Sequence, residues 1–419
     1  MRKKELKTLI SNTVLLYVLQ ISSIVLPLIS FPYLTRVLGP EKFGIYVFAN
    51  AAMIYFQMLV DYGFTLSSTK DCSIHRDNKQ VLSVIMSSVI QAKLTLSGVG
   101  FLILLMISKF LNTFADNMVF LLLSYIPVFL SAFIPDFLFR GLEKMNVITY
   151  RTLIMKIIYT ILIFIVINDP NDYIFIPIIN SLSTIIVIFF VWYFITYRLQ
   201  INYKVMDIRS TFQAIRESSV FFFSRIASTV YGASNIFVLG LFHSNSALAQ
   251  FGVANTLYTG LRSLFSPIAD SLFPYMVNKK DFSLIKIVIV VAIPIIVAGV
   301  ILLFVFAEPI ILFVCGEEYI GAVPIFRAFL PIIVMTLPIY ILGFPTLGAM
   351  NMMKEANMSV VYAAIFHLVG LVFLIVIRKI DLISVAILTC FSEGLLLLLR
   401  IIYVIYGKKR GKQVNETSC

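Results

Sequence analysis

The feature that most constrains this chain is a succession of apolar runs, each about 20 residues long and bounded by charged or turn residues. Because a helix rises about 1.5 Å per residue, such a run spans the hydrocarbon core of a bilayer, which is about 30 Å thick. Composition agrees, since 60% of the 419 residues are hydrophobic and 13% are charged. A soluble enzyme is excluded, and an all-α integral membrane protein is predicted.

About twelve of these runs are predicted to be transmembrane helices. They are Ser11 to Leu34, Phe43 to Val60, Ser83 to Ile107, Met118 to Leu138, Val147 to Ile167, Tyr173 to Phe194, Val220 to Leu241, Leu248 to Leu272, Leu284 to Phe306, Val323 to Leu347, Met358 to Ile377 and Leu382 to Tyr406.

Charge and cysteine usage set the topology and exclude several classes of site. Most Lys and Arg outside the runs lie in alternate loops, which predicts that both termini are cytoplasmic. The formal net charge of +12 is then a topology signal and an attraction to anionic membrane lipids, so no nucleic-acid partner is expected. The four Cys and three His are dispersed, so neither a metal site nor a cofactor is expected.

The outer loops are short, the longest running from about Ala307 to Ala322. None is large enough to form a catalytic domain, so the chain is not expected to be an enzyme.

The chain is predicted to consist of two halves of six helices each, residues 1–209 and 210–419, joined by the longest polar segment. An even number of helices in each half makes the two halves parallel repeats, which are typical of transporters. The motifs that recur between the halves are Phe43-Gly44 with Phe251-Gly252, and Gly141, Met145 and Asn146 with Gly348, Met350 and Asn351.

Two arginines are candidate ligands for a phosphate-bearing substrate. Arg225 and Arg262 lie on polar stripes of consecutive helices, at equal distances from the loop that joins them, so they are expected at similar depth. The planar guanidinium group can hold two phosphate oxygens at once. An alternative is that both arginines pair with the nearby acids Glu217 and Asp270 and only fasten the hairpin.

The sequence offers interpretations of four other charged residues within or next to the runs. Lys93 either extends the basic surface or reaches the membrane boundary with its ammonium group, and Arg400 is expected to reach that boundary. Asp61 and Glu393 are candidates for binding a coupling cation or proton, with ordinary ion pairing as the alternative.

Amide and phenol groups on the same stripes are candidate partners for sugar hydroxyls, and hydrogen bonds between helices explain them equally well. These candidates for lining a glycan cavity are Gln20, Gln57, Asn50, Asn235, Asn255 and Tyr258.

The run from Pro27 to Gly44, PLISFPYLTRVLGPEKFG, resembles the first-hairpin signature of bacterial polysaccharide repeat-unit flippases, the Wzx family. Phe222-Phe-Ser-Arg-Ile226 resembles the start of that family's seventh helix, and Pro309 to Ala322 resembles its outer turn before the tenth. The likeness extends over nearly the whole chain in length, charge and number of helices.

This resemblance implies the fold of the multidrug/oligosaccharidyl-lipid/polysaccharide exporter superfamily, two six-helix bundles related by a pseudo-two-fold around a V-shaped central cavity. It implies translocation of an undecaprenyl-diphosphate-linked oligosaccharide to the outer leaflet of the bacterial plasma (inner) membrane, for O-antigen or capsule. The implied partners are this lipid-linked oligosaccharide, membrane lipids and the polysaccharide polymerase and chain-length machinery. Related lipid II flippases carry cationic residues in the cavity, a pattern with which Arg225, Arg262 and Lys93 are consistent.

Three other functions stay open from the sequence. A multidrug or cation antiporter of the same fold would favour an acidic or aromatic cavity, whereas the deepest charges here are mostly basic. A membrane-embedded glycan polymerase or ligase is disfavoured by the short outer loops. A non-enzymatic scaffold would tolerate loss of both arginines.

Overall fold

A computed structural model describes the backbone of residues 2–279 and 282–416. Side chains are described within these ranges except at residues 2–25, 28, 112, 220, 223–231, 274, 277–279 and 408–416. The described backbone is helical and contains no strand. The α-helices are α1 Arg2–Asp61, α2 Phe64–Ile74, α3 Lys79–Phe110, α4 Asn112–Asp116, α5 Met118–Leu130, α6 Asp136–Gly141, α7 Met145–Val166, α8 Phe175–Tyr193, α9 Ile208–Phe242, α10 Asn245–Ser263, α11 Ser266–Lys279, α12 Phe282–Val305, α13 Ala307–Cys315, α14 Ala322–Ile341, α15 Met353–Val376 and α16 Leu382–Glu416.

The predicted apolar runs coincide with helix to within a few residues. In lipid, a helix satisfies every backbone polar group within the segment, which is why such runs fold this way. Among the described residues, nine helical segments are long and apolar enough to cross a membrane. The chain is therefore a multi-pass membrane protein, and the count of about twelve crossings stays a prediction.

A break in α1 separates the first two predicted runs. Gly39 adopts φ 65° and ψ 172°, a left-handed backbone that glycine tolerates, and Pro40 follows it. The sequence analysis ends the first run at Leu34 and begins the second at Phe43, and the interruption at Gly39 lies between them.

Internal contacts divide the chain into two compact units, Met1–Thr229 and Val230–Cys419. In the first unit, α2 packs on α6, and α7 packs on both α1 and α8. Its core includes the fully buried Phe64, Leu138 and Phe139. Gly141 allows a close approach of helices, because a Cβ there would lie 2.5 Å from the Cβ of Cys72. The predicted boundary of the functional halves at residue 209 stays a prediction.

In the second unit, α14 is the central helix and packs on α10, α12 and α16, while α15 packs on α16. Phe329 of α14 is fully buried and stacks on Tyr258 of α10, with ring centroids 4.8 Å apart. After Ile341 the helix widens into a π-helix, Leu342–Leu347, that contains Pro345 and a non-helical Gly343. This interruption leaves carbonyl groups of α14 in need of other donors.

The second pair of recurring motifs folds into similar turns. Glu143 and Asn351 both have left-handed backbones, with φ 57° and φ 59°. In each case the backbone N–H of the following residue donates to the carbonyl five residues earlier. The amide of Lys144 donates to the carbonyl of Phe139 at 2.8 Å, and the amide of Met352 donates to the carbonyl of Leu347 at 2.8 Å. These are helix-ending turns of the Schellman type, and their agreement fits the internal repeat inferred from the sequence.

Candidate functional site

The clearest polar site in the second unit is an ion pair between Arg262 of α10 and Glu393 of α16. Two parallel hydrogen bonds join them, from Nη1 to Oε1 at 2.5 Å and from Nη2 to Oε2 at 3.1 Å. The Glu393 side chain is 0% exposed, whereas the Arg262 side chain is 21% exposed. The carboxylate is therefore enclosed behind a guanidinium group that can still be approached.

Two tyrosines complete the surroundings of the guanidinium group. Arg262 donates from Nη1 to the hydroxyl of Tyr258 at 2.7 Å, and from Nε to the hydroxyl of Tyr340 at 3.2 Å. The spacing of four residues puts Tyr258 and Arg262 on one face of α10, whereas Tyr340 comes from α14. Arg262 is thus held in a fixed orientation by three helices.

A second arginine, Arg400, lies two helical turns beyond Glu393 on α16. It is 5% exposed and donates from Nη1 to the carbonyl of Ile339 and from Nε to Ser359 Oγ at 3.3 Å. The prediction that Arg400 reaches the membrane boundary is therefore wrong: the interrupted α14 offers it a buried carbonyl acceptor. Arg400 interacts electrostatically with both Glu393 and Arg262. Two guanidinium groups and one carboxylate give this cluster a net positive charge.

A neutral hydrogen-bond network borders the ion pair on α16. Asn235 of α9 donates to Thr389 Oγ1 at 2.9 Å, and its Oδ1 lies 2.8 Å from Nε2 of His367. Because Thr389 Oγ1 donates to the carbonyl of Val385, it can only accept from Asn235. The other ring nitrogen of His367 has a hydroxyl partner. Nδ1 lies 2.9 Å from Oγ of Ser392, the residue next to Glu393.

The first unit contains an ion pair of its own. Lys93 Nζ of α3 lies 3.0 Å from Asp61 Oδ1 at the end of α1, and the two side chains are 7% and 19% exposed. Gln57, one turn before Asp61, donates to Ser131 Oγ at 3.0 Å. Lys93 therefore has a largely buried acidic partner on another helix.

The predicted site residues fall into four groups. Arg262, Tyr258 and Glu393 are brought together, and so are Lys93 and Asp61. The amide groups of Asn235 and Gln57 form hydrogen bonds to side chains outside their own helices, as expected from the alternative that these amides join helices. Asn255 is half-buried, whereas Asn50, Glu217 and Asp270 are exposed. The side chains of Arg225 and Gln20 lie outside the described residues.

The acid that pairs with Arg262 is Glu393, not Asp270 as the structural alternative proposed. Sequence analysis also missed Tyr340, Arg400 and His367 as members of this region. Tyr340 and His367 are single polar residues in apolar runs, and only the packing of helices shows what they contact. Within the described part of the chain, no cluster of three or more His, Cys, Asp or Glu could hold a metal ion.

A multi-pass helical membrane protein with ionisable pairs enclosed by its helices is the class that this fold and site define. Residues 9–280, more than half of the chain, match the family described as polysaccharide biosynthesis protein. The chain belongs to this family, and the resemblance inferred from the sequence is confirmed.

Two relatives agree with that assignment. A protein of Escherichia coli strain K12 named "Putative O-antigen transporter" is 27% identical over 281 residues, 67% of this chain and 68% of that protein. A Shigella dysenteriae protein of the same name is 26% identical over 272 residues, 65% of this chain and 68% of that protein.

Two solved structures of lower identity share the fold. The lipid II flippase MurJ in an inward closed conformation aligns at TM-score 0.69 and 16% identity, over 94% of this chain and 87% of that chain. An inward-facing multidrug resistance MATE family transporter of the MOP superfamily aligns at TM-score 0.70 and 13% identity, over 96% and 99%. The all-helical membrane fold expected from the sequence is thereby confirmed.

Proposed function

We propose that this protein is a flippase that moves undecaprenyl-diphosphate-linked oligosaccharide units from the cytoplasmic to the outer leaflet of the bacterial plasma membrane. The observation that carries the proposal is Arg262, a partly exposed guanidinium group among membrane helices of a polysaccharide biosynthesis family member. A charged group inside a membrane helix is costly and rare, so it is by default a candidate member of a substrate or ion path. Relatives named as O-antigen transporters support the same activity.

The diphosphate is the part of this substrate that needs a cationic partner. Arg262 would hold its oxygens with the guanidinium fork, together with Arg225 and Lys93. The glycan would contact the amide and phenol groups of the polar stripes, and the polyprenyl tail would stay among membrane lipids. Asp61, Glu217, Asp270 and Glu393 are the acids available for coupling. Translocation breaks no covalent bond, so no catalytic residue is required.

The membrane potential favours this direction of transport. When one negative charge moves outward across an inside-negative membrane, its electrostatic free energy falls by about 2.3 kcal/mol per 100 mV. A diphosphodiester carries about two such charges at neutral pH, so the voltage drives its outward movement. We place both termini in the cytoplasm, because Lys and Arg are concentrated in loops on that side. The polymerase and chain-length machinery would then receive the substrate at the outer leaflet.

Leaflet-resolved detection of the lipid-linked glycan tests the proposal. Cells that lack this protein and have no substitute flippase should accumulate undecaprenyl-diphosphate glycan in the inner leaflet. The wild-type protein should relieve the accumulation, whereas Arg262→Ala should not. Arg209→Ala is the matched control, because Arg209 is exposed and lies outside the site.

Two outcomes would reject the proposal. Normal export in the absence of the protein would exclude a flippase and leave a scaffold or a multidrug exporter. Full complementation by Arg262→Ala at equal protein level would exclude the arginine as a substrate ligand.

A further inference from the structure

The guanidinium group of Arg262 has one donor left for a ligand. Such a group has five N–H donors in a fixed planar arrangement. Glu393 accepts one from Nη1 and one from Nη2, Tyr258 accepts the second of Nη1, and Tyr340 accepts that of Nε. The second N–H of Nη2 has no acceptor among the described residues. It lies on the same edge of the guanidinium plane as the N–H of Nε, so the two donors are parallel.

The hydroxyl of Tyr340 provides a second donor beside that edge. A phenol hydroxyl both accepts and donates hydrogen bonds. Its oxygen accepts from Nε of Arg262 at 3.2 Å, and no residue in the described part of the chain accepts its proton. The ring contacts the same cation, since its centroid lies 5.6 Å from Cζ of Arg262. The O–H of Tyr340 and the remaining N–H of Nη2 therefore lie next to each other.

The acceptors around Arg262 differ in their access to a ligand. Glu393 is 0% exposed and Tyr258 is 4% exposed, whereas Tyr340 is half-buried. The Arg262 side chain itself is 21% exposed. A ligand therefore approaches the edge formed by Nε and Nη2, on the side of Tyr340. Binding there leaves both hydrogen bonds to Glu393 intact.

The charges of the cluster favour an anion at this edge. Arg262 and Arg400 carry two positive charges against the single negative charge of Glu393, and Arg400 interacts electrostatically with both. An excess charge among membrane helices is costly, and a bound anion offsets it without removing Glu393. A phosphate oxygen only accepts hydrogen bonds, so one such oxygen can accept from both of the available donors.

We propose that Tyr340 is a ligand of the substrate diphosphate. One phosphate oxygen accepts the remaining N–H of Arg262 Nη2 and the O–H of Tyr340. Nε still donates to the Tyr340 oxygen, and the ion pair with Glu393 is retained and keeps the guanidinium group oriented. No covalent bond changes and no proton is transferred. This inference rests on the proposed function, because it assumes a diphosphate substrate.

Binding to the full-length protein in nanodiscs tests the role of the hydroxyl. The probes are undecaprenyl diphosphate carrying one N-acetylglucosamine and undecaprenyl diphosphate without a sugar. Tyr340→Phe removes the O–H and retains the aromatic ring, so a smaller side chain does not open the edge. This variant should bind both probes about 10- to 100-fold more weakly, which corresponds to one hydrogen bond to a charged group.

The matched control is Tyr197→Phe. Tyr197 is 70% exposed and belongs to the first unit, so this variant should bind both probes as the wild type does. The thermal unfolding midpoint of each variant is measured in the same nanodiscs. Only protein that elutes as a single nanodisc species is used, so that loss of folded protein is not counted as loss of affinity.

Each result separates the two proposals. Absence of binding of either probe by the wild type would reject the diphosphate substrate, and this inference with it. Wild-type binding that Tyr340→Phe leaves unchanged or strengthens would reject only the inference. A loss confined to the sugar-bearing probe would assign the hydroxyl to the glycan and would also reject the inference.

Discussion

The guanidinium group of Arg400 fills the space beside Gly343 where a side chain would begin. A Cβ placed on Gly343 would lie 2.5 Å from Nη1 and 2.8 Å from Cζ of Arg400. The same Nη1 donates to the carbonyl of Ile339, four residues before Gly343. A regular α-helix would satisfy that carbonyl with the amide of residue 343, but the backbone there is not helical. Arg400 therefore stabilises the interruption of α14.

Gly343→Ala is expected to destabilise the second unit by about 1–3 kcal/mol, because the new methyl group cannot fit without displacing Arg400. Thermal unfolding of the purified protein in detergent measures the change. Gly98→Ala is the matched control, since a Cβ at Gly98 meets nothing within 4 Å. A Gly343→Ala protein as stable as the control would mean that Arg400 does not occupy this space.

The ion pair between Asp61 and Lys93 can be tested by a double-mutant cycle. Lys93→Met alone should cost about 3–5 kcal/mol, because it leaves a largely buried carboxylate without its cation. Asp61→Leu combined with Lys93→Met should cost clearly less, since both charges are then gone. The measurement is the unfolding midpoint of the two single variants, Lys93→Met and Asp61→Leu, and of the double variant, at equal lipid content. Additive costs would show that the two side chains do not interact.

Hydropathy predicted the helices because a membrane allows few backbone alternatives, and the gap between the first two apolar runs contains the interruption at Gly39. Tyr258 and Arg262 could also be placed together, since they are four residues apart on one helix. The partner of Arg262 could not be chosen in this way. Glu393 lies 131 residues further along the chain, and only the packing of α10 on α16 selects it over Asp270.

The error at Arg400 has a physical origin of the same kind. Its predicted position rested on its distance from the membrane boundary, and a long side chain near that boundary usually extends towards water. The π-helical interruption after Ile341 provides a buried carbonyl acceptor instead. Hydropathy does not show where a helix loses its regular hydrogen bonds.

His367→Ala should destabilise the protein, because Asn235 Oδ1 loses its buried partner His367 Nε2, whereas Ser392 Oγ keeps its hydrogen bond to the carbonyl of Leu388. Each polar group left unsatisfied costs about 1–3 kcal/mol. His75→Ala is the matched control, since His75 is exposed. Unfolding in detergent, followed at the same pH for both variants, gives the comparison. Equal stability of the two variants would contradict the network between α9, α15 and α16.

Asp381 caps the start of α16 outside the apolar segments. It accepts the amides of Ile383 at 3.0 Å and Ser384 at 2.9 Å, and the Ser384 hydroxyl at 2.6 Å. Burial raises the pKa of Asp381, but the Ser384 hydroxyl and these amides outweigh it, so the net pKa is below the ordinary 3.8. Because the folded state favours the ionised form, this stabilisation is present above pH 3.8 and is lost as pH falls through the lowered pKa.

Two substitutions at Asp381 distinguish the effect of its hydrogen-bond acceptor on stability from the effect of its negative charge. Asp381→Ala should cost about 0.5–2 kcal/mol near neutral pH, because the first turn of α16 loses its acceptor. Asp381→Asn retains an acceptor without the carboxylate, so its difference from the wild type should shrink as the solution is acidified. Urea unfolding of both variants from neutral pH to below about pH 3 measures the difference. The free energy of unfolding of the wild type could instead exceed that of Asp381→Asn by more as pH falls. This result would show that the folded state favours the protonated form of Asp381, contrary to the prediction.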